Sequence, residues 1–229
     1  MKTFKILGLL LTYPEGSLYA ASEEIVALLR DEALLPGKAI KRIERFLADQ
    51  TREDILKVQE KYVETFDRGR AHCLHLFEHV HGESRDRGQA MVDLSDTYAS
   101  KGMYIDNNEL PDYLPLFMEY LSRCSFEEAR SLLGEAIDVI AMIGAKLKKR
   151  KSPYAAVFDA MEALSGLKPD RAKIEKGLET APKDPETLEE LDEEWKEAEA
   201  FGGDPLADCD TCGVFSNTTQ HLAKMVGGA

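Results

Sequence analysis

Apolar residues recur along this chain at spacings of three and four, which predicts a succession of helices and no convincing strand. Ile6 to Leu11 form a short apolar run that Tyr13-Pro14 ends, the pattern of a brief first helix. Ile25, Leu28 and Leu29 begin a second stripe, and Pro36-Gly37 interrupts it. Ile40, Ile43, Phe46 and Leu47 make the next. Thr51 reads as an N-cap ahead of Ile55, Val58, Tyr62 and Phe66. Met91, Leu94 and Tyr98 share one face, with Gly102 as the C-terminal cap.

The longest predicted helix opens on a capping box, Ser125 with Glu128, and continues through Leu132, Leu133, Ala136, Ile137, Ile140 and Ile143. Its basic last turn, Lys146 to Lys151, complements the helix dipole. Ser152-Pro153 starts another helix with Pro153 at its first position and Phe158 and Met161 facing inward. In Glu109 to Glu119, Pro111 suits a first turn and Pro115 is tolerable only there. That stretch is either a turn leading into a core helix or one wall of a groove. The fold class expected is therefore all-α, a single-domain helical bundle over residues 1–170. Residues 171–229 read as an acidic, mobile tail with one amphipathic helix at about 185–200. Its stripe of Leu188, Leu191, Trp195 and Ala198 is thin, and suits docking on a surface better than building a core.

Composition narrows the function. The chain has 229 residues, 44% hydrophobic and 31% charged, as in soluble globular proteins. Its net charge of −13 argues against nucleic acid and against anionic membrane surfaces, and favours a basic partner. Between Lys183 and Asp210 there are twelve acidic residues and two lysines, so the tail holds most of that charge. No run approaches the ~18–20 apolar residues that span a bilayer, so no direct membrane insertion is expected. Lys2 and Lys5 precede the first apolar run as in a leader peptide, but Leu18 or Tyr19 stands where cleavage wants a small residue. The four cysteines, Cys73, Cys124, Cys209 and Cys212, lack the density of a disulfide framework and fit reduced thiols in a cytoplasmic protein.

Candidate chemistry gathers in one place. His72, His75, His79 and His81 lie within ten residues, and a helix would put His75 and His79 on one face around Glu78. Leu76 stands where a metalloprotease pattern needs glutamate, which leaves hydrogen-bonding histidines at a helix junction as the plainer reading. Cys209 and Cys212 supply half of a structural zinc site, without the βαβ context of a thioredoxin motif. Gly82 to Gly88 is no phosphate loop, since no Gly-Lys-Ser/Thr closes it. A metal- or thiol-dependent enzyme, using the histidine cluster or Cys209 and Cys212, stays as the competing reading.

Phe77 to Leu94, FEHVHGESRDRGQAMVDL, closely resembles the signature run of the NarJ family of nitrate reductase assembly chaperones. Tyr62 to Asp67 (YVETFD) and Glu109 to Pro115 (ELPDYLP) fit the same family, the second shared more loosely with the wider TorD-like group. The resemblance covers roughly the first two-thirds of the chain. It implies a non-catalytic, all-helical cytoplasmic chaperone that binds the N-terminal segment of the nitrate reductase catalytic (alpha) subunit. Such a chaperone holds the apoenzyme ready for iron–sulfur and molybdenum-cofactor insertion before membrane docking. No cofactor would be tightly bound; contact with the molybdenum cofactor would be transient and through the client, with cofactor-biosynthesis proteins as further partners. The candidate client-binding residues are Tyr62, Phe66 and Asp67; His75, Phe77, Glu78, His79, His81, Glu83, Arg85, Asp86, Arg87, Gln89 and Asp93; and Asp112, Tyr113, Leu114 and Pro115. Gly82, Gly88, Met91 and Leu94 read as structural. A basic amphipathic client would lay its apolar face in a groove, and histidines would make its binding depend on pH. The segment around Trp195 is expected to cover that groove when no client is bound.

Overall fold

The structure, a computed structural model, describes residues 1–81, 86–105 and 109–180. Among these residues there are twelve α-helices and no strand, so the all-α expectation holds. The helices are α1 (Lys2–Leu9), α2 (Gly16–Ala20), α3 (Ser22–Glu32), α4 (Gly37–Arg52), α5 (Ile55–Phe66) and α6 (Glu78–His81). They continue with α7 (Asp86–Ser100), α8 (Leu114–Arg123), α9 (Phe126–Glu135), α10 (Ile137–Lys149), α11 (Ala155–Leu164) and α12 (Arg171–Thr180). A 3-10 turn, Arg70–His72, leads into the histidine-rich stretch. The predicted tail segment beyond 180, with its expected helix at about 185–200, lies outside the described residues.

Three helix boundaries differ from the sequence reading, each for a local reason. The long helix from Ser125 is two helices, divided at Ala136. An apolar stripe runs unbroken through both, so periodicity could not locate the division. Ser125 does cap α9, accepting from the Glu128 N–H at 3.4 Å, but the Glu128 carboxylate pairs with Lys101 at 2.9 Å. Thr51 sits inside α4, its hydroxyl donating to the Leu47 carbonyl; the cap of α5 is Asp54, which accepts from Leu56 N–H at 2.8 Å. The helix after Ser152-Pro153 begins at Ala155, leaving Pro153 in the preceding turn. Gly102, with φ +71°, follows α7 in the left-handed conformation that suits glycine.

α10 lies at the centre and is buried on most of its surface, packing on α11 and α12. α4 packs on α3 and α11 through the stripe Ile40, Ile43, Phe46 and Leu47. α12 lies beyond residue 170 and packs on α10 with Ile174 buried, so the packed helices extend into the segment assigned to the tail. α1 packs on α8, and Phe4, Leu7, Leu10 and Leu11 are core residues. That crossing is close because residue 8 is glycine: a Cβ there would lie 2.9 Å from the Pro115 carbonyl oxygen. No helix of the described residues is long and apolar enough to cross a membrane.

Candidate peptide-binding site

The histidine-rich stretch and the Pro-Asp-Tyr-Leu-Pro segment are clipped together by backbone. Leu76 N–H donates to the Asp112 carbonyl at 3.0 Å, and Leu114 N–H donates to the Leu74 carbonyl at 2.8 Å. His75 and Tyr113 thus form an isolated antiparallel bridge. Asp112 is fully buried behind it. Its Oδ2 accepts from the Phe77 N–H at 3.0 Å, and its Oδ1 faces His75 Nδ1 at 3.3 Å. A buried carboxylate is tolerable only with such partners. The His75 ring, 31% exposed, lies on Tyr113 with centroids 5.4 Å apart. The Asp112 hydrogen bond holds its pKa above the ordinary histidine value, against an opposing effect of burial.

A second set of polar contacts closes the stretch on itself. Cys73 Sγ donates to Glu78 Oε2 at 3.1 Å, and Glu78 Oε1 meets Arg87 of α7 at 3.3 Å. His79 donates from Nε2 to the Cys73 carbonyl at 2.9 Å, which fixes its tautomer. Burial, and then the Lys146 ammonium, push the His79 pKa down to about 4, so the ring is neutral near pH 7. Burial and the Glu78 carboxylate push the Cys73 thiol up, and burial raises Cys124 too. Neither is a poised nucleophile. Both are expected to resist a maleimide at neutral pH in the folded protein and to react once guanidinium unfolds it. Rapid labelling of Cys73 in the folded chain would contradict this assignment. Among the described residues no group of three His, Cys, Asp or Glu side chains is placed to hold a metal ion.

Beside the clip, α1 and α8 border a groove of ≈ 180 Å³. One wall is Lys5, Gly8, Leu9 and Thr12; the other is Glu109, Tyr113, Pro115, Leu116 and Glu119. Leu9 is 40% exposed at this groove, and Tyr13, one residue beyond Thr12, is 49% exposed. Exposed apolar side chains in a concave place rimmed by polar groups mark a candidate binding surface. The rim carries Glu109 and Glu119, the latter paired with Lys5 at 3.1 Å. Tyr62 and Phe66 support the wall from inside. Tyr62 donates its hydroxyl to the Leu11 carbonyl at 2.9 Å, and its ring meets Tyr13 edge-on at 5.7 Å. Phe66 packs between Tyr62 and Tyr154. Asp67, exposed just after α5, lies within electrostatic reach of His75; partial desolvation raises its pKa and His75 opposes that.

The structure therefore divides the candidate residues. Tyr113 and Pro115 line the groove, with His75 stacked on Tyr113 and Asp67 within its field. Tyr62, Phe66, Phe77, Asp112 and Leu114 are buried and shape the site from below. Glu78, His79 and Arg87 are taken up by the internal contacts above. On α7, Gln89 donates to Asp93 at 2.7 Å, and Asp86 is exposed in the first turn. Glu83, Arg85 and the His81 side chain lie outside the described residues, as do Cys209 and Cys212. The sequence reading did not single out Leu9, Thr12 or Tyr13 as site residues, whereas Glu109, Leu116 and Glu119 lie in the Glu109–Glu119 stretch that it offered as one wall of a groove. The one available signal was Leu9, an apolar residue inside a helix whose neighbours Leu7 and Leu10 already fill the inward face.

The nitrate reductase delta subunit family matches residues 18–160. The probable nitrate reductase molybdenum cofactor assembly chaperone NarW of Escherichia coli K12 is 38% identical over 212 residues, 92% of this chain and 88% of that protein. The nitrate reductase molybdenum cofactor assembly chaperone NarJ of the same strain is 40% identical over 192 residues, 84% of this chain and 81% of that one. The probable NarJ chaperone of Bacillus subtilis is 29% identical over 162 residues, 70% of this chain and 86% of that protein. These relatives carry the names of assembly chaperones rather than of catalysts, and the reading of the histidines or Cys209 and Cys212 as an enzyme's centre finds no support among them.

Proposed function

We propose that this chain, which belongs to the nitrate reductase delta subunit family, is a cytoplasmic chaperone that binds the N-terminal segment of the nitrate reductase catalytic subunit in the groove between α1 and α8. It keeps the apo subunit open for molybdenum-cofactor and iron–sulfur insertion before membrane docking. It holds no cofactor tightly itself; its contact with the molybdenum cofactor is transient and through the client, and cofactor-biosynthesis proteins meet it there.

The observation that supports this reading is the groove: Leu9, with Tyr13 beside it, exposes apolar surface next to Glu109 and Glu119, against the clip that the Pro-Asp-Tyr-Leu-Pro segment forms. An amphipathic basic peptide fits such a surface, its apolar residues on Leu9, Tyr13 and Leu116 and its cations on the acidic rim. The net charge of −13 would speed the encounter.

Titration calorimetry with a synthetic peptide copying that N-terminal segment is expected to show saturable one-to-one binding. Leu9→Asp and Leu116→Asp should each weaken it at least ~10-fold, about 1.4 kcal/mol; exposed Leu9→Asp should do so with an unchanged melting temperature, whereas Leu116→Asp, at a residue partly packed on the core, should also lower it. Affinity should rise from mildly acid to mildly basic pH, because His75, whose pKa the Asp112 hydrogen bond raises, then loses its charge. Absence of binding at either pH, or binding indifferent to both aspartate variants, would remove the groove from the mechanism.

A further inference from the structure

A second cleft, formed by α4, α11 and the connection to α12, encloses ≈ 760 Å³. In a chain of net charge −13 its wall is basic: Lys38, Arg42, Arg130, Lys168 and Arg171 stand against Asp159 and Glu162. Internal pairing does not cancel this. Arg42 pairs with Asp159, Arg171 pairs with Glu162, and Arg130 lies 5.4 Å from the centre of the Phe126 ring. Lys38 and Lys168 are exposed and make no ion pair among the described residues. The same cleft holds Leu167, 56% exposed, with Ala39 and Ala163. A basic rim around an apolar patch asks for an acidic, amphipathic occupant.

We propose that this occupant is the chain's own acidic segment, residues 184–199, docked in the cleft after α12. Two observations select it. The first is charge: the segment holds nine acidic residues and one lysine, and its apolar residues Leu188, Leu191 and Trp195 recur at spacings of three and four. The second is reach. Arg171, the first residue of α12, lines the cleft, and the ten residues of α12 end at Thr180. A ten-residue helix is about 15 Å long, and residues 181–185 can span about 17 Å when extended. The chain can therefore turn back along α12 and bring residue 188 and those after it to the cleft. Tethering on so short a connection gives the segment an effective concentration on the order of millimolar. Individually weak surface pairs then suffice for docking that salt dissolves. The groove between α1 and α8 is the poorer host for this segment, since its carboxylates Glu109 and Glu119 outnumber its one lining cation, Lys5. A basic client is for the same reason kept out of the basic cleft, so the two sites hold different occupants.

Paramagnetic broadening in the full-length chain tests the proposal. Cys209→Ser and Cys212→Ser remove the tail thiols, and Thr187→Cys places one nitroxide in the acidic segment without changing its charge. At low salt the amides of Ala39, Gly166 and Leu167 are expected to lose about half their intensity or more, by the close approach that docking requires. About 1 M salt, where the screening length is ~3 Å, should restore them. So should Lys38→Glu with Lys168→Glu, two exposed substitutions that leave the core untouched. Broadening at Leu9 and Leu116 instead would put the segment on the client groove and overturn the assignment. So would broadening spread evenly over the surface, or broadening of the cleft amides that the double charge reversal leaves intact.

Discussion

Asp112→Ala is expected to cost about 2–4 kcal/mol of folding stability, because it strands a buried donor and cuts a buried charged contact at once. The Phe77 N–H loses its acceptor at 3.0 Å, and His75 loses the oxygen 3.3 Å from its Nδ1. Both groups sit on the clip that joins the histidine-rich stretch to the start of α8, so urea unfolding should show the loss, and the peptide site should loosen with it. Asp112→Asn keeps an acceptor for Phe77 and removes only the charge, which separates the two contributions through pH. The folded pKa of His75 is raised, so the stability it contributes is complete below its ordinary value of ~6.5 and is lost as pH rises through the folded value. The pKa of His79 is lowered to about 4, so its contribution is present above ~6.5 and is lost as pH falls toward 4. These two residues place a stability maximum near pH ~6.5. Asp112→Asn should flatten the alkaline side alone, and His79→Gln, which can still donate to the Cys73 carbonyl, the acid side alone. A loss under about 1 kcal/mol for Asp112→Ala, or an alkaline slope unchanged in Asp112→Asn, would mean that the clip does not depend on this carboxylate.

Gly8→Val should be the other large effect, and it acts through backbone rather than charge. A Cβ at position 8 would stand 2.9 Å from the Pro115 carbonyl oxygen and 3.0 Å from Met118 Cβ. A carbonyl in the first turn of α8 cannot swing aside as a flexible side chain would, so α1 and α8 must part. Overpacking of this kind costs about 1–3 kcal/mol, with valine at the upper end, or about 5–10 °C in melting temperature for a chain of this size. Helix propensity alone pushes the other way, by about 1 kcal/mol in favour of Gly8→Ala. A net loss in the alanine variant therefore isolates the contact. Since Gly8 and Pro115 both line the groove, client affinity should fall together with stability. A melting temperature equal to or above that of the parent chain would show that the two helices can separate freely.

Most of the helices were legible in the sequence. The stripes Ile40, Ile43, Phe46, Leu47 and Leu94, Tyr98 mark inward faces that the structure does bury. Periodicity reports burial on one side of a helix, and burial is what drives these elements together. It says little about where one helix ends when the apolar stripe continues, as through the bend at Ala136, because both halves face the same core. Caps were legible where a side chain had one local partner, as at Ser125, and illegible where two candidates stood three residues apart, as with Thr51 and Asp54.

The candidate site divides along a similar line. The histidine-rich stretch and the proline-flanked segment could each be picked out by composition and by resemblance. That they are one object, with the Asp112 carboxylate under both, follows only from the tertiary pairing of residues far apart in the chain. Two facts no local pattern could hold are that Tyr62 and Phe66 lie beneath the groove rather than in it, and that α1 supplies its other wall. A helix has one inward face in sequence terms, yet Leu9 is apolar, faces outward and lines a groove. The sequence by itself determined the all-helical class, the family signature and the acidity of the tail, because these depend on local spacing, residue identity and summed charge. The tertiary structure alone decided which of the signature's charges among the described residues are taken up by internal contacts and which stay exposed, because that depends on which distant segment each one meets.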